Sequence, residues 1–217
     1  MPLPFFTAMK KMPSDPFQGV RDVTLFTVAY LLIATFFSLT TNNWEFVLYV
    51  AVVLIFGGVV FKIHRHAKLP KELLWCLSIW GLLHMVGGLV YVPESWSVSV
   101  GFKHVMYNVW VIPYYLKYDH IVHMYGFGVA TLVCWQAVRS LLKNSVPTNG
   151  VLILCVIASM GLGSINEMVE FFAKIFIPFT NVGGYNNTMW DLVSNTVGSI
   201  FAAILIKFIY ESEKSKA

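Results

Sequence analysis

Six blocks of continuous apolar sequence, at about 23–39, 46–61, 73–92, 120–142, 151–177 and 189–210, alternate with short polar stretches along the 217 residues. A helix needs about 20 mostly apolar residues to cross the hydrocarbon core of a bilayer. The pattern therefore predicts an all-α integral membrane protein, a bundle of six transmembrane helices. Little is left over for a separate soluble domain, so residues 1–217 read as a single transmembrane domain. Thr40-Thr41-Asn42-Asn43 reads as a polar turn before Trp44, a residue type favoured at the membrane interface. Gly57-Gly58 in the second block predicts a close-packing point between helices, and Pro178 ends the fifth. The longest connection, 93–118, is too polar at Pro93-Glu94-Ser95 to span and is rich in aromatics, which predicts an amphipathic or re-entrant segment at headgroup level. Residues 1–21 carry Pro2, Pro4, Pro13 and Pro16 and lack the apolar core of a signal peptide, so the N-terminus is expected to be retained.

Composition agrees: 57% of residues are hydrophobic, 12% are charged and the mean hydropathy is +0.68, against roughly 45–50% apolar residues in soluble domains. The charges carry topology. Lys62, Arg65, Lys68 and Lys71 crowd the second connection beside His64 and His66, Arg139 and Lys143 follow the fourth block, and Lys207, Lys214 and Lys216 close the chain. Residues 179–188 have neither Lys nor Arg. By the positive-inside rule, both termini and residues 62–72 are expected in the cytoplasm, with 93–118 and 178–188 outside. The net charge of +4 is spread between spans and forms no nucleic-acid patch. Cys76, Cys134 and Cys155 have the spacing of neither a zinc knot nor a disulfide framework and read as packing residues.

Against this background the ionisable residues inside the blocks stand out, because such groups at bilayer depth are rare and usually functional. Asp119 and His123 are four apart, on one helical face. Glu167 and Glu170 are three apart, and Asp191 is followed four residues on by Asn195. At 1.5 Å rise per residue, these groups share one layer near the expected outer ends of their helices; His84 joins it roughly 10 Å below the end of the third. Carboxylates and imidazoles drawn from four helices suit a divalent ion such as Zn, Mn, Fe or Mg. The candidate metal ligands are thus His84, Asp119, His123, Glu167, Glu170 and Asp191, with Glu167 or Glu170 free to act as the catalytic general base. Asn166 and Asn195 are placed to orient the ligands. A proton or ion relay and a purely structural hydrogen-bond network stay open as alternatives. His120 is expected to face the interface, and His64, His66 and His104 to be surface loop residues. Gln136 reads as structural, and Asn186-Asn187-Thr188 as a chance glycosylation pattern. Lys174 is the basic side chain expected nearest the acids.

Tyr118-Asp119-His120 with His123, Glu167-x-x-Glu170, and Trp190-Asp191-x-x-x-Asn195-x-x-Gly198, preceded by the His84 to Gly88 step, resemble the ordered signature of the VanZ-like membrane proteins. Among these the chain looks closest to the inner-membrane branch of the YjdF type. The chain departs in having Glu170 where a Gln is common and in lacking an arginine before Asp191. The resemblance implies a bacterial inner (plasma) membrane and a link to the cell envelope and antibiotic tolerance, without a settled biochemical activity.

Three functions compete. One is a metal-dependent hydrolase or transferase acting on a lipid or lipid-linked envelope substrate. The second is an ion- or proton-coupled transporter, against which stand the confinement of the acids to one half of the membrane and the lack of an apparent inverted repeat. The third is a non-catalytic envelope or antibiotic-tolerance protein.

Overall fold

The computed structural model describes residues 20–99, 103–142 and 145–215. Lys143, Lys216 and the N-terminal residues 1–19, on which parts of the charge and signal-peptide arguments rest, lie outside the described residues. Six helices are long and apolar enough to cross a membrane: α1 Arg21–Thr40, α2 Trp44–Ala67, α3 Lys71–Leu89, α4 Tyr118–Leu141, α5 Asn149–Phe176 and α6 Tyr185–Lys214. Between α3 and α4 lie a 3₁₀ turn, Met106–Asn108, and an antiparallel hairpin of β1 Trp110–Ile112 and β2 Leu116–Lys117.

The helix ends follow local chemistry. Asn42 adopts a left-handed φ of 53°, and the Asn43 side chain accepts the Phe46 N–H at 3.3 Å, capping α2. Lys62, His64, Arg65 and His66, expected in a loop, occupy the last turns of α2. Long cationic side chains reach the interface without ending a helix. What stops α2 is Lys68 at φ 50°, its N–H bonded to the His64 carbonyl, followed by Pro70. This also corrects His64, which is buried while His66 is exposed. His104 is half-buried.

The bundle turns its large apolar side chains outward. Leu32, Phe36, Leu54, Ile55, Leu154, Phe201 and Phe208 are all more than half exposed, as lipid-facing residues are. Its interior relies on small residues that let backbones approach. Helix α4 is the hub, packed against α2, α3, α5 and α6, most extensively α6. At their crossing a Cβ on Gly198 would overlap the Met124 backbone, and one on Gly128 would stand 3.2 Å from the Gly198 carbonyl oxygen. Only glycine allows this approach. Ser159 of α5 donates to the Phe127 carbonyl at 2.7 Å, and Ser199 of α6 donates to the Ser159 hydroxyl at 3.0 Å, so hydroxyls knit the three helices together.

Two expectations change. A Cβ on Gly57 or Gly58 would meet nothing within 4 Å; both glycines are exposed. The packed pair is Gly87-Gly88 in α3, where added methyls would overlap Tyr107 and Phe46. The connection after α3, expected as an amphipathic or re-entrant segment, consists over its described residues of a 3₁₀ turn and extended backbone. It pairs its own backbone through isolated bridges, Tyr91 with Val105 and Val98 with Val109, and through the hairpin, so polar groups near the membrane are satisfied without a helix. Pro113 and Tyr114, the latter at φ 64°, turn the hairpin, with Tyr115 N–H donating to the Ile112 carbonyl at 3.0 Å. A proline followed by a positive φ is the type II arrangement.

Candidate metal centre

The close α4–α6 crossing sets Asp119 and His123 against Asp191 and Asn195, because 191, 195 and 198 share one face of α6. His123 is 1% exposed and Asp191 fully buried. The Asn195 Oδ1, which can only accept, lies 3.0 Å from His123 Nδ1. With the amide oriented this way, the proton of a neutral His123 ring sits on Nδ1. In the neutral ring this leaves the lone pair on Nε2, and Nε2 faces Asp119 Oδ1 at 3.6 Å. Two acceptors facing each other are reconciled by a metal ion between them or by a proton on either group.

The ionisable groups fall into two clusters that share His123. Asp119, His123 and Asp191 form one, and His123, Glu167 and Glu170 the other; within each, one donor atom per residue lies within 4.8 Å of the others. Glu167 Oε1 is 3.7 Å from His123 Nδ1. Both Glu167 oxygens and Asp191 Oδ1 are buried without a hydrogen-bond partner. Glu170 is held by Asn166, whose Nδ2 donates to Oε1 at 3.1 Å.

His84 belongs to neither cluster. Its ring stands 6.1 Å from that of His123 between centroids, and its Nδ1 is paired with the hydroxyl of Tyr107. Burial, then the negative charges of Asp119 and Glu170, pushes the pKa of Tyr107 well up, so the phenol stays protonated. His120, expected at the interface, is buried instead, with Nδ1 accepting the Lys117 N–H at 3.3 Å.

Two residues at the centre were missed. Lys117 ends β2 with its side chain turned inward, 6% exposed; its Nζ is 3.6 Å from Asp119 Oδ2 and bonds Asn187 Oδ1. Asn187 in turn donates to Asp191 Oδ2 at 2.6 Å and to Asp119 Oδ2 at 3.4 Å, joining the two acids. Lys174, the expected counter-charge, instead donates to the Gly183 carbonyl at 3.0 Å. The signals were present. Asn187 and Asp191 are four apart, as Asp119 and His123 are, and Lys117 lies two residues before Asp119.

Glycines make room for the supporting side chains. A methyl on Gly163 would press Asn195, one on Gly183 would overlap Asn187, and one on Gly87 would overlap Tyr107. Over the same end, Glu45 of α2 accepts the Asn181 N–H at 2.8 Å, while Asn181 Oδ1 accepts from Lys103 N–H and Asn108 Nδ2, each at 3.3 Å. The α3–α4 and α5–α6 connections are thereby fastened together above the cluster.

Comparison with curated proteins and with solved structures found no match. The family described as Predicted membrane protein (DUF2238) matches residues 22–212, the whole six-helix bundle bar its extreme ends, and the chain belongs to that family.

Proposed function

We propose that this chain is a metal-dependent hydrolase or transferase of the membrane, acting on a lipid or lipid-linked envelope substrate, with its centre toward the outer leaflet and both termini in the cytoplasm. The observation that carries the reading is the set of buried, unpartnered carboxylate oxygens of Glu167 and Asp191 around His123. Four carboxylates, Asp119, Glu167, Glu170 and Asp191, meet one lysine, Lys117. Like charges in a low dielectric cannot all persist without a further cation. Asp119, His123 Nε2 and Asp191 are the ligands for it, since Asn195 fixes the tautomer from behind, as the supporting partner of a ligating histidine does. A divalent ion there supplies Lewis acidity toward an ester or phosphoryl oxygen and makes nearby water more acidic. Glu167, with both oxygens free of hydrogen bonds, is the general base, and Asn166 orients Glu170.

The orientation rests on charge. Among the described residues, Arg21, Lys62, Arg65, Lys68, Lys71, Arg139, Lys207 and Lys214 gather at one end of the bundle, and Lys103, Lys117 and Lys174 at the end bearing the centre. The order of motifs around Asp119, Glu167 and Asp191 supports kinship with the VanZ-like proteins and a bacterial inner membrane. A transporter is the weaker reading: toward the basic end the α4–α5–α6 seam continues through Thr131, Ser159 and Ser199, and among the described residues of these helices the next acids, Glu211 and Glu213, come only near the end of α6.

Elemental analysis of detergent-purified protein tests the reading. Close to one divalent ion per chain is expected in the wild type and a loss in the His123→Ala, Asp191→Ala double variant; wild type that stays metal-free after supplementation overturns it.

A further inference from the structure

Lys117 and Asn187 stand between the acids and a cleft of about 440 Å³ at the same end of the bundle. Trp110 and Tyr114 of the hairpin, His120 of α4 and Trp190 of α6 are among its walls. Several donors are among its polar features. Helix α6, 30 residues long, begins here at Gly184 without a side-chain cap, so its first N–H groups and the positive end of its dipole face the cleft. Lys117 adds a buried ammonium. His120, 3% exposed, takes the Lys117 N–H on Nδ1, so its own ring proton lies on Nε2, and Nε2 is buried with no partner.

A helix N-terminus, a lysine and an unsatisfied imidazole N–H around one space call for an oxyanion with several acceptor atoms, and phosphate supplies them. The walls add a second requirement. Trp110 and Tyr114 lie 6.2 Å apart between centroids, Tyr114 is 86% exposed and Trp190 56%. Broad aromatic faces beside a polar floor suit the apolar face of a sugar ring, and the cleft volume suits a headgroup of that size. Such aromatics also mark headgroup depth, so the ligand arrives from within the membrane plane. We propose that the cleft binds the phosphate of a sugar-bearing membrane lipid and presents it to the carboxylates behind Asn187. The assignment names the substrate of the metal centre proposed above and rests on that reading for the step that follows binding.

The test uses the full chain in phosphatidylcholine nanodiscs, with binding read from the change in tryptophan fluorescence and assigned to the cleft by the loss of that change in a Trp110→Phe, Trp190→Phe variant. Glucose 1-phosphate is expected to bind at least about tenfold more tightly than glucose, inorganic phosphate or phosphocholine, reflecting a charge-assisted contact added to stacking. Doping the nanodiscs with phosphatidylinositol is expected to compete with it, which identifies a lipid source; no competition overturns the lipid assignment. Lys117→Gln is expected to weaken glucose 1-phosphate about tenfold. Tyr114→Ala, at an exposed position that does not threaten folding, is expected to weaken glucose 1-phosphate and leave inorganic phosphate unchanged. Wild-type binding in both variants, or preference for phosphocholine, overturns the proposal. Metal content of the same samples separates the two claims. Wild type that holds metal yet ignores glucose 1-phosphate sinks the cleft alone, whereas metal-free wild type that binds it through Lys117 sinks the centre alone.

Discussion

His123 and Asn195, 72 residues apart in sequence, meet at 3.0 Å between Nδ1 and Oδ1, and this contact turns Nε2 toward Asp119. Replacing Asn195 by Ala leaves a buried N–H unsatisfied and frees the ring to change tautomer. Loss of such a supporting partner typically costs about 10–100-fold in metal affinity. Competitive titration with a chromophoric chelator is expected to show a drop of that size, and an unchanged affinity would show that Asn195 does not orient the ligand.

The same contact is reachable from the opposite helix. A methyl on Gly163 would press into the Asn195 side chain, whereas one on Gly161, a half-turn away, would meet nothing within 4 Å. Gly163→Ala is therefore expected to weaken metal binding and Gly161→Ala to leave it at the wild-type level. Equal behaviour of the two variants in that titration would argue against the packing account.

Gly198 carries the crossing of α4 and α6. With no flexible side chain to move aside, Gly198→Ala forces the Met124 backbone away, and overpacking of this kind costs about 1–3 kcal/mol. A lower melting temperature in detergent is expected, together with loss of bound metal because Asp119 separates from Asp191. Gly57→Ala, in open space, serves as the matched control and is expected to melt with the wild type.

The two clusters around His123 give different outcomes for their acids. With Asp119, His123 and Asp191 as ligands and Glu167 as base, Glu167→Gln retains the ion and Asp191→Asn loses it. Chelation is expected to lower the melting temperature of the wild type and of Glu167→Gln but not of Asp191→Asn, since an ion bound only by the folded state stabilises it. The reverse pattern would move the ion to the Glu167–Glu170 side.

Orientation is testable by impermeant thiol labelling in a variant freed of Cys76, Cys134 and Cys155. A cysteine at position 114, on the exposed hairpin turn, is expected to label from outside intact cells, and one at position 65 only after permeabilisation. Labelling of position 65 in intact cells would invert the topology and place the centre at the inner leaflet.

The helical bundle was legible because the constraint that produces it is one-dimensional. About 20 apolar residues either occur consecutively or do not, and each of the six helices passes the test of length and apolarity on its own sequence. The acids and His123 were legible for a related reason: ionisable groups within apolar blocks stand out residue by residue. What one helix could not disclose was which groups would face each other. Lys117 falls in the 93–118 connection and drew no notice there; the hairpin, whose register pairs it with Trp110, turns its ammonium inward to Asp119. Asn187 looked like a chance sequon until the start of α6 set it between Asp191 and Asp119. His84 had the right depth, but the 3₁₀ turn delivers Tyr107 to its Nδ1 through the space that Gly87 leaves open. Gly57-Gly58 and Gly87-Gly88 are the same dipeptide, and only the neighbours supplied by the fold make the second a packing point. Depth and periodicity are properties of a single helix and can be read from the chain; azimuth, tautomer and counter-charge depend on contacts between distant segments and were decided by the tertiary structure.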